Sequence, residues 1–234
     1  MKSETADDLP DVHLEDVKQE LEPLTGMSVW ARMRLSYHDM RRTTRALIDE
    51  QPSEPRLLFF VLLSDVLFFL SRGVALVVSP SATVEQSLPV PAQLGVLLVG
   101  ALLLRTITLY VFSALVCLGG WLFGGRASFK DARTGVFWAS LVAAPVGILG
   151  ALIGAGFAHL EAVSPIFAST LFSWPPLLIG PVAFVFFLSA GVAEAHRFPR
   201  TSPVFITFSV LTVILLIAAI AFGPMLMERA GLPV

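Results

Sequence analysis

The sequence has little charge, a single cysteine and no asparagine. Asp, Glu, Lys and Arg make up 15 % of its 234 residues. An ordinary soluble domain carries about 25 %, so a globular cytosolic enzyme is disfavoured from the start. One cysteine, Cys117, excludes an intramolecular disulfide framework and a multi-cysteine zinc site. Without asparagine there is no N-glycosylation sequon. Lysine is scarce too: three lysines stand against thirteen arginines, the composition of a GC-rich coding sequence, which points to a bacterium. What is abundant is apolar. Hydrophobic residues reach 55 % and the mean hydropathy is +0.77, which excludes disorder over most of the length. The class that follows is a multi-span membrane protein.

The net charge of -2 hides an uneven distribution. Residues 1–26 hold eight acidic and two basic side chains, have no apolar h-region and contain Pro10 and Pro23. They read as part of an acidic disordered tail (1–27) rather than a signal peptide. Residues 28–56 form an amphipathic segment and turn, with six arginines against four acids. The membrane domain spans 57–228. Within it lie five apolar stretches, roughly 57–79, 94–118, 135–158, 166–190 and 204–227. Each is close to the ~20 residues that cross a ~30 Å hydrocarbon core as a helix. A barrel would need alternating segments of about ten residues, so strands are excluded. The fold class is all-α and polytopic, with five transmembrane helices.

Basic residues set the orientation. Eight precede the first span; Arg126, Lys130 and Arg133 follow the second, and Arg197 and Arg200 follow the fourth. The loops 80–93 and 159–165 have none, and Arg229 is alone near the C-terminus. This alternation obeys the positive-inside rule at each turn and predicts a cytoplasmic N-terminus. Local signals mark the ends. Ser164-Pro165 and Ser202-Pro203 place a capping hydroxyl before a helix-starting proline. Ser128 and Asp131 resemble a capping box, and Gly119-Gly120 and Gly124-Gly125 close the second helix with Trp121 as an interfacial anchor.

Three charged residues fall inside spans: Asp65, Arg72 and Arg105. A charge at mid-bilayer costs several kcal/mol unless paired, hydrated or able to snorkel. Asp65 and Arg72 share a helix face but lie about 10 Å apart along the axis, too far to touch. In antiparallel helices Asp65 sits about 12 Å and Arg105 about 20 Å from the cytoplasmic end, a gap that an arginine side chain covers. An Asp65–Arg105 pair is therefore expected, with Arg72 reaching toward the outer interface. It is read first as a structural pair and, in the alternative, as part of a transport path.

In 28–49, Val29, Met33, Met40, Thr44 and Leu47 recur at helical spacing, while Arg32, Arg34, Arg41, Arg42 and Arg45 dominate the rest. Two arrangements suit that pattern: a helix on the inner leaflet with its arginines on anionic headgroups, or a solvated helix packed on the protein's own loops. Gly150 and Gly154 form a small-xxx-small motif, which favours internal packing, with a homo-oligomer as the alternative. Pro145, Pro175, Pro176, Pro181 and Pro224 lie within spans without acidic neighbours in the third to fifth, so they read as kinks rather than an ion site.

No enzymatic pattern emerges. The glycines of 119–125 lack a phosphate-binding G-x-x-x-x-G-K-[ST], and there is no H-E-x-x-H and no G-x-S-x-G. Glu194 and His196, two apart, point to different faces of a helix and make a poor metal pair. Cys117 reads as packing rather than a nucleophile. No cofactor or metal is expected, and the basic loops are too short for a nucleic-acid footprint.

Two stretches carry a resemblance. One is Gly124-Gly125-Arg126-Ala127-Ser128-Phe129-Lys130-Asp131-Ala132, leading into a span with Pro145; the other is Gly191-Val192-Ala193-Glu194-Ala195-His196, closing the fourth span. Together they resemble the Yip-domain family (Ypt/Rab-interacting-protein-like membrane proteins) in its short bacterial form, over roughly 30–228. Arg197 stands where many relatives have a small residue. The resemblance implies five helices, a cytoplasmic N-terminus and no catalytic residues. Eukaryotic members look like adaptors that associate with Rab-type GTPases, a role that does not transfer to a bacterium. The expected function is a non-enzymatic scaffold or membrane organiser of the bacterial inner membrane. Its partners would be the bilayer, anionic lipid or an unidentified membrane or cytoplasmic protein. The alternative is a transporter or channel component using Asp65, Arg72 and Arg105.

Overall fold

The computed structural model describes residues 24, 26–78, 89–161 and 163–229. Most of the expected acidic tail (1–23 and 25), most of the loop 80–93 and residues 230–234 lie outside the described residues. Among those described, the protein is helical and contains no strand. Two short helices, α1 (Val29–Ser36) and α2 (Met40–Asp49), precede five long ones. The long helices are α3 (Glu54–Val78), α4 (Val90–Leu122), α5 (Phe129–Leu160), α6 (Thr170–Ala195) and α7 (Ser202–Arg229). All five are long and apolar enough to cross a membrane.

The amphipathic segment 28–49, expected as one helix, is broken at Tyr37–Asp39. Ser28 caps α1 through the Ala31 amide, and Asp39 caps α2 through the Arg42 amide at 2.9 Å. A capping aspartate in non-helical backbone stops one helix and starts the next. Met33, Met40, Thr44 and Leu47 are buried, so the apolar stripe of the pair packs on the bundle, α2 lying against α5 and α6. Ser164-Pro165 also differs from expectation: it opens a 3-10 turn, Pro165–Ala168, and the long helix begins at Thr170. Gly119 and Gly120 do not end α4, which continues to Leu122; Gly124, at φ +81°, makes the reversal that follows.

α5 is the axis of the fold. Its N-terminus has the full capping box, Ser128 accepting from the Asp131 amide and Asp131 accepting from the Ser128 amide. From Thr134 to Ala143 every residue is buried. Phe137, Trp138 and Leu141 meet Phe60 of α3 and Leu188 of α6 in one apolar core. The Trp138 indole donates to Ser36 Oγ at 3.1 Å, and so ties α1 to the centre. Because lipid is as apolar as the side chains, such a bundle is held by close packing and polar links rather than by hydrophobic drive. α5 and α6 make that approach through glycine. A Cβ on Gly135 would lie 2.9 Å from the Gly191 carbonyl oxygen, and one on Gly150 would lie 2.7 Å from the Pro176 carbonyl oxygen. Gly154 faces Pro176 as well, so both glycines of the small-xxx-small motif contact α6 within the chain.

Candidate functional site

Two polar assemblies interrupt this apolar bundle. The first lies within the membrane-spanning part. In α4 the α-helical pattern gives way to a π-helical stretch, Gly100–Arg105, which inserts a residue and turns Arg105 inward. The Asp65 carboxylate, fully buried, accepts from Arg105 through one oxygen and from the Thr106 hydroxyl through the other. Arg105 also donates to Ser64 Oγ at 2.9 Å and Ser140 Oγ at 2.7 Å, and its guanidinium lies 4.9 Å from the Phe68 ring centroid. Three helices are thus joined by one ion pair and its hydroxyl collar. Such a pair is stable in hydrocarbon only when its remaining lone pairs and protons are satisfied. Arg72 takes no part in it; its guanidinium is exposed and lies 5.9 Å from the ring of Phe68.

The second assembly is at the end of the bundle where α1, α2, the 123–128 loop and the 196–201 turn meet. Glu194, 6 % exposed in the last turn of α6, accepts from Arg41 at 2.9 Å and from Arg45. Arg41 reaches on to the carbonyls of Phe198 and Pro199, at 2.9 and 3.2 Å. It therefore clamps the turn that follows α6. Of the two arrangements open to this segment, the inner-leaflet one puts Arg32 on the headgroup side. Instead it is buried, and its guanidinium donates to the Leu24 carbonyl and to Glu50, which also pairs with Arg56 at 2.8 Å. Burial pushes the Glu50 carboxyl up, but the two arginines together outweigh it and hold it below its ordinary value. Arg42 contributes its amide to the Asp39 cap, and Arg34 is exposed.

The glycine loop and the end of α6 form a single unit. His196 fills a slot between Gly120 and Gly125. A Cβ on either glycine would fall within 2.4 Å of the imidazole, so any larger residue there would have to displace the ring. The ring stacks on Phe198 with centroids 5.5 Å apart, and the His196 carbonyl accepts from the Arg126 amide at 3.3 Å. Neither ring nitrogen has a hydrogen-bond partner among the described residues. Burial accordingly pushes the imidazole below its ordinary value, and the nearby Val116 carbonyl offsets this only in part. Arg197, next in sequence, sits at φ +59°, where glycine is favoured.

The rest of the motif loop serves as connections. Ser128 caps α5, Phe129 is exposed under the Arg133 guanidinium at 4.7 Å, and Lys130 donates to the Gln51 carbonyl at 3.4 Å. Arg133 makes a two-pronged pair with Glu54 at 2.7 and 2.9 Å. Trp121 donates to the Ala127 carbonyl at 2.8 Å. Nothing in the sequence singles out Ser64, Ser140 and Thr106, since a hydroxyl in an apolar run carries no signal until a guanidinium faces it. Arg34, Arg126, Arg197 and Arg200 remain exposed.

Among the described residues no three His, Cys, Asp or Glu side chains gather as a metal site. The two polar assemblies join segments: the first links α3, α4 and α5, the second links α2 to the end of α6. Comparison with known proteins agrees on the family. A scan against protein families matches the Yip1 domain over residues 36–223. Searches of curated proteins and of solved structures each returned no match. The match covers most of the chain, including both motif stretches and the five membrane-spanning helices up to residue 223 of α7, and on that evidence the protein is a multi-pass membrane protein that belongs to the Yip1 domain family.

Proposed function

We propose that this protein is a non-enzymatic scaffold or membrane organiser of a bacterial cytoplasmic membrane, with its N-terminus and its polar end in the cytoplasm. The observation that carries this reading is the Glu194 clamp. By holding Arg41 and Arg45, it locks α2 to the end of α6 and makes one fixed surface from segments distant in sequence. A rigid surface of that kind, with Arg34, Arg126, Arg197 and Arg200 left exposed on and around it, suits recognition of an acidic partner or of anionic headgroups. The alternation of basic residues supports the orientation.

A second reading rests on the π-helical stretch at Arg105, because such distortions recur at functional sites. It makes Asp65, Arg72 and Arg105 part of a solute path. Reconstitution of the full chain in vesicles separates the two. The scaffold reading expects proton and potassium flux no faster than in empty vesicles, together with a recurrent adduct from a photoreactive residue placed at Phe129 in native membranes. Flux that disappears in Asp65→Asn would overturn it.

A further inference from the structure

An apolar groove of about 690 Å³ opens on the side of the bundle between α5, α6 and α7. Its walls include Val146 of α5, Ile179 and Val182 of α6, and Phe205 of α7; Tyr37, at the end of α1, forms its roof. The Tyr37 hydroxyl is turned away, donating to the Val142 carbonyl at 2.8 Å, so the ring presents carbon to the groove. The ring meets Phe187 edge-on at 5.4 Å.

Dimensions decide what fits. The lining on α6 runs from Pro175 to Phe187, about 18 Å along the helix axis, close to the ~15 Å depth of one leaflet. Spread over that length, the volume gives a mean cross-section of about 38 Å². A helix with its side chains is 10–12 Å wide and would need about 80–110 Å². A groove of this length and section suits a single flexible hydrocarbon chain in one leaflet, whereas a partner's spanning helix would lay only one face on its rim.

Charge at the roof decides which chain. Trp30, Arg34 and Tyr37 lie at i, i+4 and i+7, one exposed stripe of α1. Arg34 is one turn from Tyr37, the Tyr37 amide bonding to the Arg34 carbonyl at 3.3 Å. Arg200 stands five residues before Phe205, at the start of α7, and is also exposed. Among the described residues no acid pairs with either, unlike Arg41 and Arg45, which Glu194 neutralises. An aromatic and an arginine above an apolar slot are the chemistry of an interfacial headgroup site.

We infer that this groove seats one anionic phospholipid of the bilayer, an acyl chain along α6 below Tyr37 and the phosphate against Arg34 and Arg200. The inference deepens the reading of the polar end as a headgroup-facing surface and rests on that reading for the phosphate only; the chain seat needs no more than a bilayer.

The test uses the full chain in lipid nanodiscs containing a trace of photoreactive lipid, its diazirine on the acyl chain, with either a phosphatidylglycerol or a phosphatidylcholine headgroup. Adducts from phosphatidylglycerol are expected to concentrate on Tyr37, Val182 and Phe205, in about tenfold excess over those from phosphatidylcholine. In the Arg34→Glu/Arg200→Glu variant that excess should fall to parity. Ala183→Trp, which fills the groove, should remove the adducts. Labelling spread evenly over the exposed residues of α4 would overturn the proposal with no variant needed. Equal labelling of the groove by both lipids would also overturn it and would leave the scaffold reading intact, because flux and loop crosslinking are measured separately. If Ala183→Trp turns a dimer into a monomer and leaves lipid adducts unchanged, a second copy fills the groove and the proposal fails.

Discussion

The contact between α5 and α6 can be tested through the sign of two matched substitutions. At Gly191 a methyl group would sit 2.9 Å from the Gly135 carbonyl oxygen and 3.4 Å from its carbonyl carbon, both backbone atoms of a facing helix. Neither can swing aside, so the helices must separate by about half an ångström. A gap of that size forfeits a quarter or more of each dispersion contact across the crossing, and overpacking of this kind costs about 1–3 kcal/mol. Alanine returns about 0.5–1 kcal/mol through its better helix propensity. The net for Gly191→Ala is a loss of about 0–2.5 kcal/mol, or up to about 10 °C in Tm for a chain of this length, and about 1–3 kcal/mol relative to a matched substitution without the clash. Gly156 lies on α5 with nothing within 4 Å of its would-be Cβ. Gly156→Ala keeps the propensity gain without the clash and should hold or raise Tm. Both variants can be compared by intrinsic fluorescence during thermal unfolding in one detergent. If Gly191→Ala is as stable as Gly156→Ala, α5 and α6 do not cross at this point.

Four further outcomes follow from the polar groups. Arg197→Gly should relieve the φ +59° backbone and raise Tm by about 2–4 °C, about 1 kcal/mol, where Arg200→Gly should not. Glu194→Gln should cost about 1–3 kcal/mol, below the toll of a fully buried broken pair, because Arg41 and Arg45 are 35 % and 45 % exposed and can rehydrate; the same thermal unfolding reads it. His196 is held below its ordinary value of 6.5, so as pH falls the unfolded chain takes the proton first. Its share of stability should be complete above about pH 6.5 and decline below it, and the Tm of His196→Gln should have a flatter pH profile there. Glu50 is likewise held low, so its stabilisation should be intact above its ordinary 4.5 and vanish as pH falls through the folded value, a slope that Glu50→Gln removes.

The five spans were legible because they are local: each is a continuous apolar run, and hydrophobicity and length need no knowledge of neighbours. The α5 capping box was legible for the same reason, since Ser128 and Asp131 meet three residues apart. The break at Tyr37–Asp39 was harder to read, because the 28–49 periodicity continues through it and only the Asp39 cap betrays two helices.

What the sequence determined by itself was therefore a class and a family: a polytopic helical membrane protein with the two Yip motif stretches. What only the tertiary structure decided was where the charges go. Arg41 meets Glu194 across 153 residues, Arg32 turns inward to Glu50, and His196 fills a slot between two glycines of a distant loop. The intramembrane collar of Ser64, Ser140 and Thr106 depends on a one-residue π-helical slip that no hydropathy pattern encodes. The physical reason is common to all of these. Crossing a bilayer depends on the average polarity of about twenty neighbours, whereas satisfying a buried charge depends on a few atoms brought together from far along the chain.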